Sequence, residues 1–252
     1  MRIGLIGAGS MAAALAEGWG EPLLVADPDA ARASALAAQC RGEALASNAE
    51  VAGRADLVVL CHKPAQLDEV AGEIAGAAGV VASILWGVRT GDLERAYPGA
   101  AVYRFIPNIP VAVGRGLVGY ARGAGAGADA EAERAVLELF GRLGAVLPLD
   151  EDAMDRAGAL LACGPAFYAL VAEALADAGE RRGLDAAQSR ELAIETMAGA
   201  AEVLRRRDLD TVALRRRVAS PGGVTERGLE ALERGGVRDA FDDAVATVLG
   251  ER

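Results

Sequence analysis

The residues best suited to chemistry lie near the end of the chain, at positions 220–225, where the sequence is Ser-Pro-Gly-Gly-Val-Thr. Two adjacent glycines permit backbone conformations that other residues avoid, so such a turn can aim several N–H groups at one anion. Ser220 and Thr225 add hydroxyl groups at its two ends. The segment can therefore hold a carboxylate with a hydroxyl beside it. The alternative is a turn that joins two helices, with Ser220 as a helix cap.

A second glycine-rich turn, Gly-Ala-Gly-Ser-Met-Ala at positions 7–12, follows a short apolar run and opens a helix. Gly7 permits a tight turn, and Gly9 lets a pyrophosphate approach the backbone. The free N–H groups and the dipole of the helix N-terminus favour the same anion. The pattern predicts a dinucleotide-binding turn, whose contacts to the cofactor come from Gly7, Gly9, Ser10 and Met11.

Asp27 closes the second predicted strand, 20 positions after Gly7. A carboxylate at this position can accept hydrogen bonds from the ribose 2′-hydroxyl of NAD and would repel a 2′-phosphate. Arg32 follows closely and can soften that repulsion. The alternative is that Asp27 only caps a helix beginning at Pro28. The cofactor is therefore NADPH or NADH, and Asp27 alone favours NADH.

Three further loops are expected at the carboxyl ends of strands, where ligands bind in open α/β sheets. They cover positions 61–64, 85–88 and 106–110. His62, in the first loop, is the only histidine of the chain. A general acid is conceivable there, but a solvent-facing loop residue beside the cofactor is the preferred interpretation. Because histidine is so scarce, Ser–His and Cys–His catalysis are disfavoured.

The predicted secondary structure that positions these residues changes near residue 150, from alternating strands and helices to helices alone. Before it, apolar strand-like runs alternate with helical segments, which predicts βαβ units and a doubly wound, Rossmann-like sheet. The predicted strands are 2–6, 23–26, 57–60, 80–84, 101–105, 117–121 and 145–149, with helices at 11–19, 28–38, 48–53 and 129–142. After residue 150 the chain is predicted to be all-helical, with helices at 155–161, 165–182, 186–207, 209–217, 225–234 and 238 to the end.

We therefore expect a dinucleotide-binding domain at residues 1–149 and a helical dimerisation and substrate domain at residues 150–252. The predicted helix from Pro165 is apolar almost all round, which is typical of a helix buried on several sides. A helical domain of this size cannot supply that cover alone, so a second subunit is expected to supply part of it.

Composition excludes several classes of protein. Hydrophobic residues make up 52% and charged residues 25% of the 252 positions, as in globular proteins. The net charge of −10 disfavours nucleic acid and anionic membrane surfaces as partners. Three scattered cysteines predict no disulfide framework and no metal site, and they fit a cytoplasmic protein. The uncharged runs at 74–88 and 157–172 are judged too short and too broken to span a bilayer.

The ordered motifs resemble the pyrroline-5-carboxylate reductase family over nearly the whole chain. That family has a GxGNMG-like turn, then V-K-P, S-I-x-A-G-V, R-x-M-P-N-T-P, S-G-S-G-P-A-F, E-A-L-x-D-A-G and S-P-G-G-T-T. The matching segments are, in the same order, residues 7–12, 62–64, 83–88, 104–110, 161–167, 173–179 and 220–225. The last two motifs are specific to the family, whereas many dehydrogenases share the first.

The resemblance implies reduction of the cyclic imine of pyrroline-5-carboxylate to proline with NAD(P)H. It implies a homodimer or higher homo-oligomer whose subunits share the active site. By the same resemblance, Thr225 binds the substrate nitrogen, and the substrate carboxylate is held by Ser220, Gly222, Gly223 and Val224. Asn48 lies beside the adenine ribose, and the other cofactor contacts come from Lys63, Pro64, Trp86 and Asn108.

The chain departs from the family pattern at positions expected around the substrate. Trp86 stands where the family has alanine. Ile109 and Val224 each stand where the family has threonine. Two serines are replaced by Leu161 and Cys163. These changes allow three interpretations: the same substrate, a related cyclic imine carboxylate such as a six-membered analogue, or a non-catalytic dinucleotide-binding regulatory homologue.

Overall fold

The structure is a computed structural model that describes residues 1–125, 130–208 and 210–251. The chain divides into two compact units, Met1–Pro165 and Ala166–Arg252. Two predicted helix starts, Asp129 and Leu209, lie outside the described residues.

An eight-stranded sheet forms the first unit. Its strands are β1 Ile3–Ile6, β2 Leu24–Ala26, β3 Glu43–Ala44, β4 Leu57–Leu60, β5 Val80–Ser83, β6 Ala101–Pro107, β7 Gly116–Arg122 and β8 Gly144–Pro148. They lie in the order β3-β2-β1-β4-β5-β6-β7-β8, and every pair is parallel except the antiparallel pair β6–β7. The predicted doubly wound fold class is confirmed. The short exposed strand β3 carries no apolar signal and was not predicted.

The strand order reverses between β1 and β4, which makes this the switch point where an open α/β sheet binds ligands. Both strands are fully buried runs of apolar residues, because helices cover both faces of the sheet. The helices are α1 Ser10–Trp19, α2 Ala30–Gln39, α3 Asn48–Arg54, α4 Leu67–Ile74, α5 Thr90–Ala96 and α6 Ala130–Gly141. Residues of α1, α2 and α6 pack on one face, and those of α3, α4 and α5 pack on the other.

Helix α7 is one continuous helix from Glu151 to Glu180, although two helices separated before Pro165 were predicted. Proline removes one backbone hydrogen bond from a helix, but Pro165 does not interrupt α7. By length and composition α7 could cross a membrane, contrary to the expectation from the shorter runs. Core helices of water-soluble proteins pass the same test.

The second unit is helical and has a small core of its own. After α7 it contains α8 Ala186–Arg205, α9 Thr211–Val218, α10 Val224–Arg234 and α11 Val237–Leu249. Its buried apolar cluster consists of three alanines, Ala172, Ala176 and Ala193, with Met197 packed against them. Many larger apolar side chains are exposed, among them Tyr168, Leu170, Leu175, Leu192 and Ile194. The second unit thus leaves uncovered the kind of side chain that normally forms a core.

Candidate active site

Gly7 is required by the turn after β1 for two independent reasons. Its φ is +104°, a conformation that side chains rarely tolerate. A Cβ at this position would also lie 2.7 Å from the backbone of Cys61 and from the nitrogen of His62. The Gly7 N–H donates to the Ala26 carbonyl over 2.8 Å. Gly7 therefore lets the loops after β1, β2 and β4 meet at the switch point.

Gly9 serves a different purpose in the same turn. It is exposed and forms the N-cap of α1, and a Cβ built on it would meet only open space. Since the cap residue has no side chain, nothing on it shields the helix N-terminus. Ser10 is exposed and Met11 is half-buried at the start of α1. This open backbone next to a helix dipole fits the pyrophosphate of a dinucleotide.

Asp27 is bound to the same turn. Its Oδ2 accepts from the Ala8 N–H over 2.7 Å, and its Oδ1 accepts from the Asp29 N–H over 2.8 Å. Helix α2 begins at Ala30 and is capped by Asp29, so the alternative that Asp27 caps a helix beginning at Pro28 is wrong. Each carboxylate oxygen can still accept a further hydrogen bond. Arg32 is exposed and pairs with Asp29 over 3.3 Å.

Asn48 and Lys63 occupy the starts of the segments after β3 and β4. Asn48 is the first residue of α3, and its Nδ2 donates to the Glu73 Oε2 over 2.8 Å. The Lys63 side chain is exposed, and its backbone N–H donates to the Gln66 side chain over 3.2 Å. Pro64 then opens a 3₁₀ turn. The Asn48 contact therefore ties α3 to α4, and the Lys63 contact holds the loop backbone after β4.

His62 is more enclosed than predicted. The residue is half-buried, its Nδ1 lies 2.9 Å from the Lys63 carbonyl oxygen, and its Nε2 is buried without a hydrogen-bond partner among the described residues. Burial lowers the pKa of His62, although the Lys63 carbonyl and the charge of Glu69 act in the opposite direction. The expectation of a solvent-facing side chain is therefore wrong. A lowered pKa also makes the imidazole a poorer candidate for a general acid.

Asn108 holds the turn between β6 and β7. Its Oδ1 accepts from the Leu117 N–H over 2.9 Å, and its backbone caps a short 3₁₀ segment, Ile109–Val113. The Ile109 side chain is 47% exposed at this edge. Asn108 thus has a structural role in addition to the predicted cofactor contact.

Trp86 lies in the loop after β5 with its indole against α7. A Cβ on Gly158 would overlap Cζ3 of the ring and would lie 2.5 Å from Cη2. The same Cβ would lie 3.4 Å from the Ile106 Cδ1. The indole therefore occupies the space that a side chain at Gly158 would fill. Trp86 remains 41% exposed, in a loop at the carboxyl end of β5.

Leu161 belongs to a core cluster instead of a pocket. It is 5% exposed and packs with Ile106, Ala121 and Met154. The expectation that it lines the substrate site is wrong, because its helix face points at the sheet. Cys163 is half-buried with a free thiol. The described residues contain no group of three or more His, Cys, Asp or Glu that could hold a metal ion.

Arg104 is a residue that the sequence reasoning did not single out. It is fully buried in β6, and its guanidinium donates to Glu151 and Asp155, each over 2.5 Å. Glu151 also accepts from the Thr90 hydroxyl over 2.9 Å. Because a buried guanidinium requires charged partners, these bonds fix the start of α7 against β6 and α5. The signal that could have found it is the pair of acids four residues apart on one helix face.

The two glycines of the 220–225 segment lie in the turn between α9 and α10. Gly222 has a φ of +70°, and a Cβ on Gly223 would lie 2.8 Å from the Ser220 carbonyl oxygen. The Gly223 N–H donates to that oxygen over 2.9 Å, and the Gly222 N–H donates to the Glu226 Oε2 over 2.6 Å. Two of the N–H groups predicted to receive a carboxylate are therefore already engaged.

Gly223 is the N-cap of α10, so the alternative role of Ser220 as the cap is also wrong. The Ser220 side chain is exposed, Val224 is 77% exposed, and Thr225 is half-buried in the first turn of α10. The Arg227 Nη1 donates to the Gly222 carbonyl over 2.9 Å and braces the turn from outside. The two hydroxyls and the first N–H groups of α10 remain the groups of this segment best placed for a ligand.

The switch-point turn, the fixed carboxyl-edge loops and the apolar helical unit define a dinucleotide-binding oxidoreductase with a helical dimerisation region. Residues 151–251 match the family model described as pyrroline-5-carboxylate reductase dimerisation, and residues 2–87 match one described as NADP oxidoreductase coenzyme F420-dependent. A pyrroline-5-carboxylate reductase of Synechocystis sp. is 34% identical over 97% of this chain and 94% of its own length. The chain belongs to the pyrroline-5-carboxylate reductase family, which confirms the resemblance and the predicted oxidoreductase class.

Solved structures agree with this assignment. A Streptococcus pyogenes 1-pyrroline-5-carboxylate reductase is 25% identical, with a TM-score of 0.91 over 100% of this chain and 97% of that chain. A Plasmodium falciparum pyrroline carboxylate reductase with NADP bound is 28% identical, with a TM-score of 0.89 over 100% and 96%. Mycobacterium tuberculosis has a pyrroline-5-carboxylate reductase that is 34% identical over 97% of this chain and 93% of its own length.

Proposed function

We propose that this protein reduces the cyclic imine 1-pyrroline-5-carboxylate to proline with NAD(P)H, as a step of proline biosynthesis. The observation that carries the proposal is full-length membership of the family together with both expected binding segments. The Gly7 turn at the switch point suits a dinucleotide, and the Ser220–Thr225 segment suits a small carboxylate.

The first unit supplies the residues that would hold the cofactor. The backbone at Gly7, Gly9, Ser10 and Met11 receives the pyrophosphate, and the Asp27 carboxylate accepts from the adenine ribose. The remaining contacts come from Asn48, Lys63, Pro64, Trp86 and Asn108. When bound, NAD(P)H supplies the hydride that the imine carbon accepts. The role of these residues is to hold the reacting partners in one orientation, which lowers the entropic cost of the reaction.

The second unit supplies the residues that would hold the substrate. The Ser220 hydroxyl and the N–H groups around Gly222, Gly223 and Val224 bind the carboxylate. Because Glu226 takes the Gly222 N–H and the Ser220 carbonyl takes the Gly223 N–H, the Val224 N–H carries most of that backbone contribution. The Thr225 hydroxyl binds the nitrogen, whose charge and basicity change during reduction.

The domain boundary that we propose is a functional one: residues 1–149 bind the dinucleotide, and residues 150–252 bind the substrate and dimerise. The protein works as a homodimer or a higher homo-oligomer in the cytoplasm. The large exposed apolar side chains of the second unit support the oligomer, because a second copy would remove them from water.

Oxidation of NADH or NADPH in the presence of pyrroline-5-carboxylate tests the proposal. We expect turnover with proline as the product. Absence of turnover with both cofactors, by a folded protein that binds a dinucleotide, would instead favour the non-catalytic regulatory interpretation.

Replacement of Thr225 by alanine tests the catalytic assignment. Loss of the hydroxyl near the nitrogen is expected to lower kcat by about 10- to 100-fold while the Kd of the cofactor is unchanged. Thr211→Ala, at the first position of α9, is a matched control on the same unit. A large loss of cofactor affinity in Thr225→Ala would show that the residue is misassigned.

A further inference from the structure

The contact between Trp86 and Gly158 has a consequence for the substrate. Glycine inside a helix costs about 1 kcal/mol relative to alanine, so a compensating contact is expected for Gly158 in the third turn of α7. The indole of Trp86 provides one, because it occupies the place of the missing Cβ. Trp86 and Gly158 are therefore a matched pair of a large and a small residue.

The position of the pair in the sheet relates it to one half of the cofactor. In a doubly wound dinucleotide fold, each half of the sheet binds one mononucleotide, on either side of the switch point. Asp27 follows β2, on the adenine side. Trp86 follows β5, on the opposite side, between the loops that carry Lys63 and Asn108. The loop that carries Trp86 thus lies on the side of the switch point where the nicotinamide half of a dinucleotide binds.

The helix under the indole is anchored to the sheet. Glu151, Asp155 and Gly158 are spaced by four and three residues, which places them on one face of α7. The first two accept from the buried Arg104, and this fixes the helix at the level where Gly158 supports the ring. The ring is therefore supported by a part of α7 that two ion pairs tie to β6.

We propose that Trp86, seated on Gly158, is the specificity-determining residue that limits the ring size of the imine acid reduced beside the nicotinamide. This inference rests on the proposed function. The indole fills space that a smaller side chain would leave open, so it favours the five-membered ring over a six-membered cyclic imine carboxylate. The proposal therefore favours the interpretation of an unchanged substrate over that of a larger-ring imine.

The test compares kcat/KM for the five-membered and the six-membered cyclic imine carboxylate in the full-length enzyme. Trp86→Ala is expected to shift the ratio of the two values toward the larger ring by about tenfold or more. Leu147→Ala is the matched control, because Leu147 is similarly exposed (44%) but lies on β8 at the edge of the sheet. Its ratio should equal that of the wild type. Trp86→Leu provides a milder truncation in case Trp86→Ala does not fold.

Gly158→Ala examines the pair from the other side. In the wild-type background, the added methyl group should displace the indole and change the ratio of kcat/KM for the two rings. In the Trp86→Ala background, the same substitution should leave that ratio unchanged. An unchanged ratio in a folded Trp86 variant, or a shift toward the smaller ring, would overturn the inference while leaving the proposed function intact. If the wild type reduces neither ring, the proposed function fails and the inference fails with it.

Discussion

Each of the two units is proposed to bind a small ligand, and the two have very different amounts of core. The first unit buries large apolar side chains on both faces of its sheet, and its glycine turn is fixed by strands on each side. Among its described residues, the second unit buries three alanines and one serine, and it exposes leucines, isoleucine and tyrosine. The difference fits the proposal that the cofactor residues are positioned within one chain, whereas the proposed substrate residues belong to a unit that a second copy would cover.

The largest effect on stability is expected for Gly7 of the first unit, and it should not be seen for Gly9. Gly7→Ala introduces a side chain at positive φ and against the loop after β4, so we expect a loss of at least about 2 kcal/mol in the free energy of unfolding. Cofactor affinity should fall by tenfold or more. Denaturant unfolding and dinucleotide titration measure the two effects.

Gly9→Ala is the matched control. Its Cβ points into open space, so stability should change by less than about 0.5 kcal/mol while cofactor affinity still falls. Equal destabilisation by both substitutions would contradict the distinction between a glycine that the fold needs and one that the ligand needs.

The dependence of the second unit on a partner can be tested with two exposed leucines. Leu175 on α7 is 57% exposed and Leu147 on β8 is 44% exposed. Leu175→Glu is expected to weaken the oligomer by about 100-fold or more, because a charge would be buried without a partner. Leu147→Glu should leave the oligomer intact. Light scattering over a range of concentrations measures the oligomeric state of both variants. If Leu147→Glu were monomeric and Leu175→Glu were not, the second unit would not be the one that depends on a partner.

The contrast between the units also explains what could be predicted from the sequence. The strands of the first unit are short buried runs between turn signals, and the roles of Gly7 and Gly9 follow from their spacing. Arg104 was missed because its partners lie about 50 residues away and only the fold brings them together. Leu161 was misplaced because a sequence match does not show which helix face meets the sheet. In the 220–225 segment, Glu226 takes an N–H group through a side-chain contact that composition does not reveal.

A smaller effect is expected at Asp27, which we propose favours NADH over NADPH. Its carboxylate lies at the turn that receives the pyrophosphate, so a 2′-phosphate nearby would be repelled. Asp27→Asn removes the charge and should raise kcat/KM for NADPH relative to NADH by about tenfold. Asp29→Asn, which alters the exposed cap of α2, is the control and should change the ratio little. A wild-type enzyme that strongly prefers NADPH would overturn the role given to Asp27.

The smallest expected effect concerns pH and is confined to the first unit. Because burial lowers the pKa of His62 in the folded protein, the unfolded chain binds more protons there than the folded chain as the pH falls below about 6.5. The contribution of His62 to stability is therefore constant above that pH and is lost progressively below it. His62→Val should make the free energy of unfolding less dependent on pH between about 6.5 and 5. Denaturant unfolding of both proteins at several pH values measures the slope. An unchanged slope would mean that His62 titrates in the folded protein as it does in the unfolded chain.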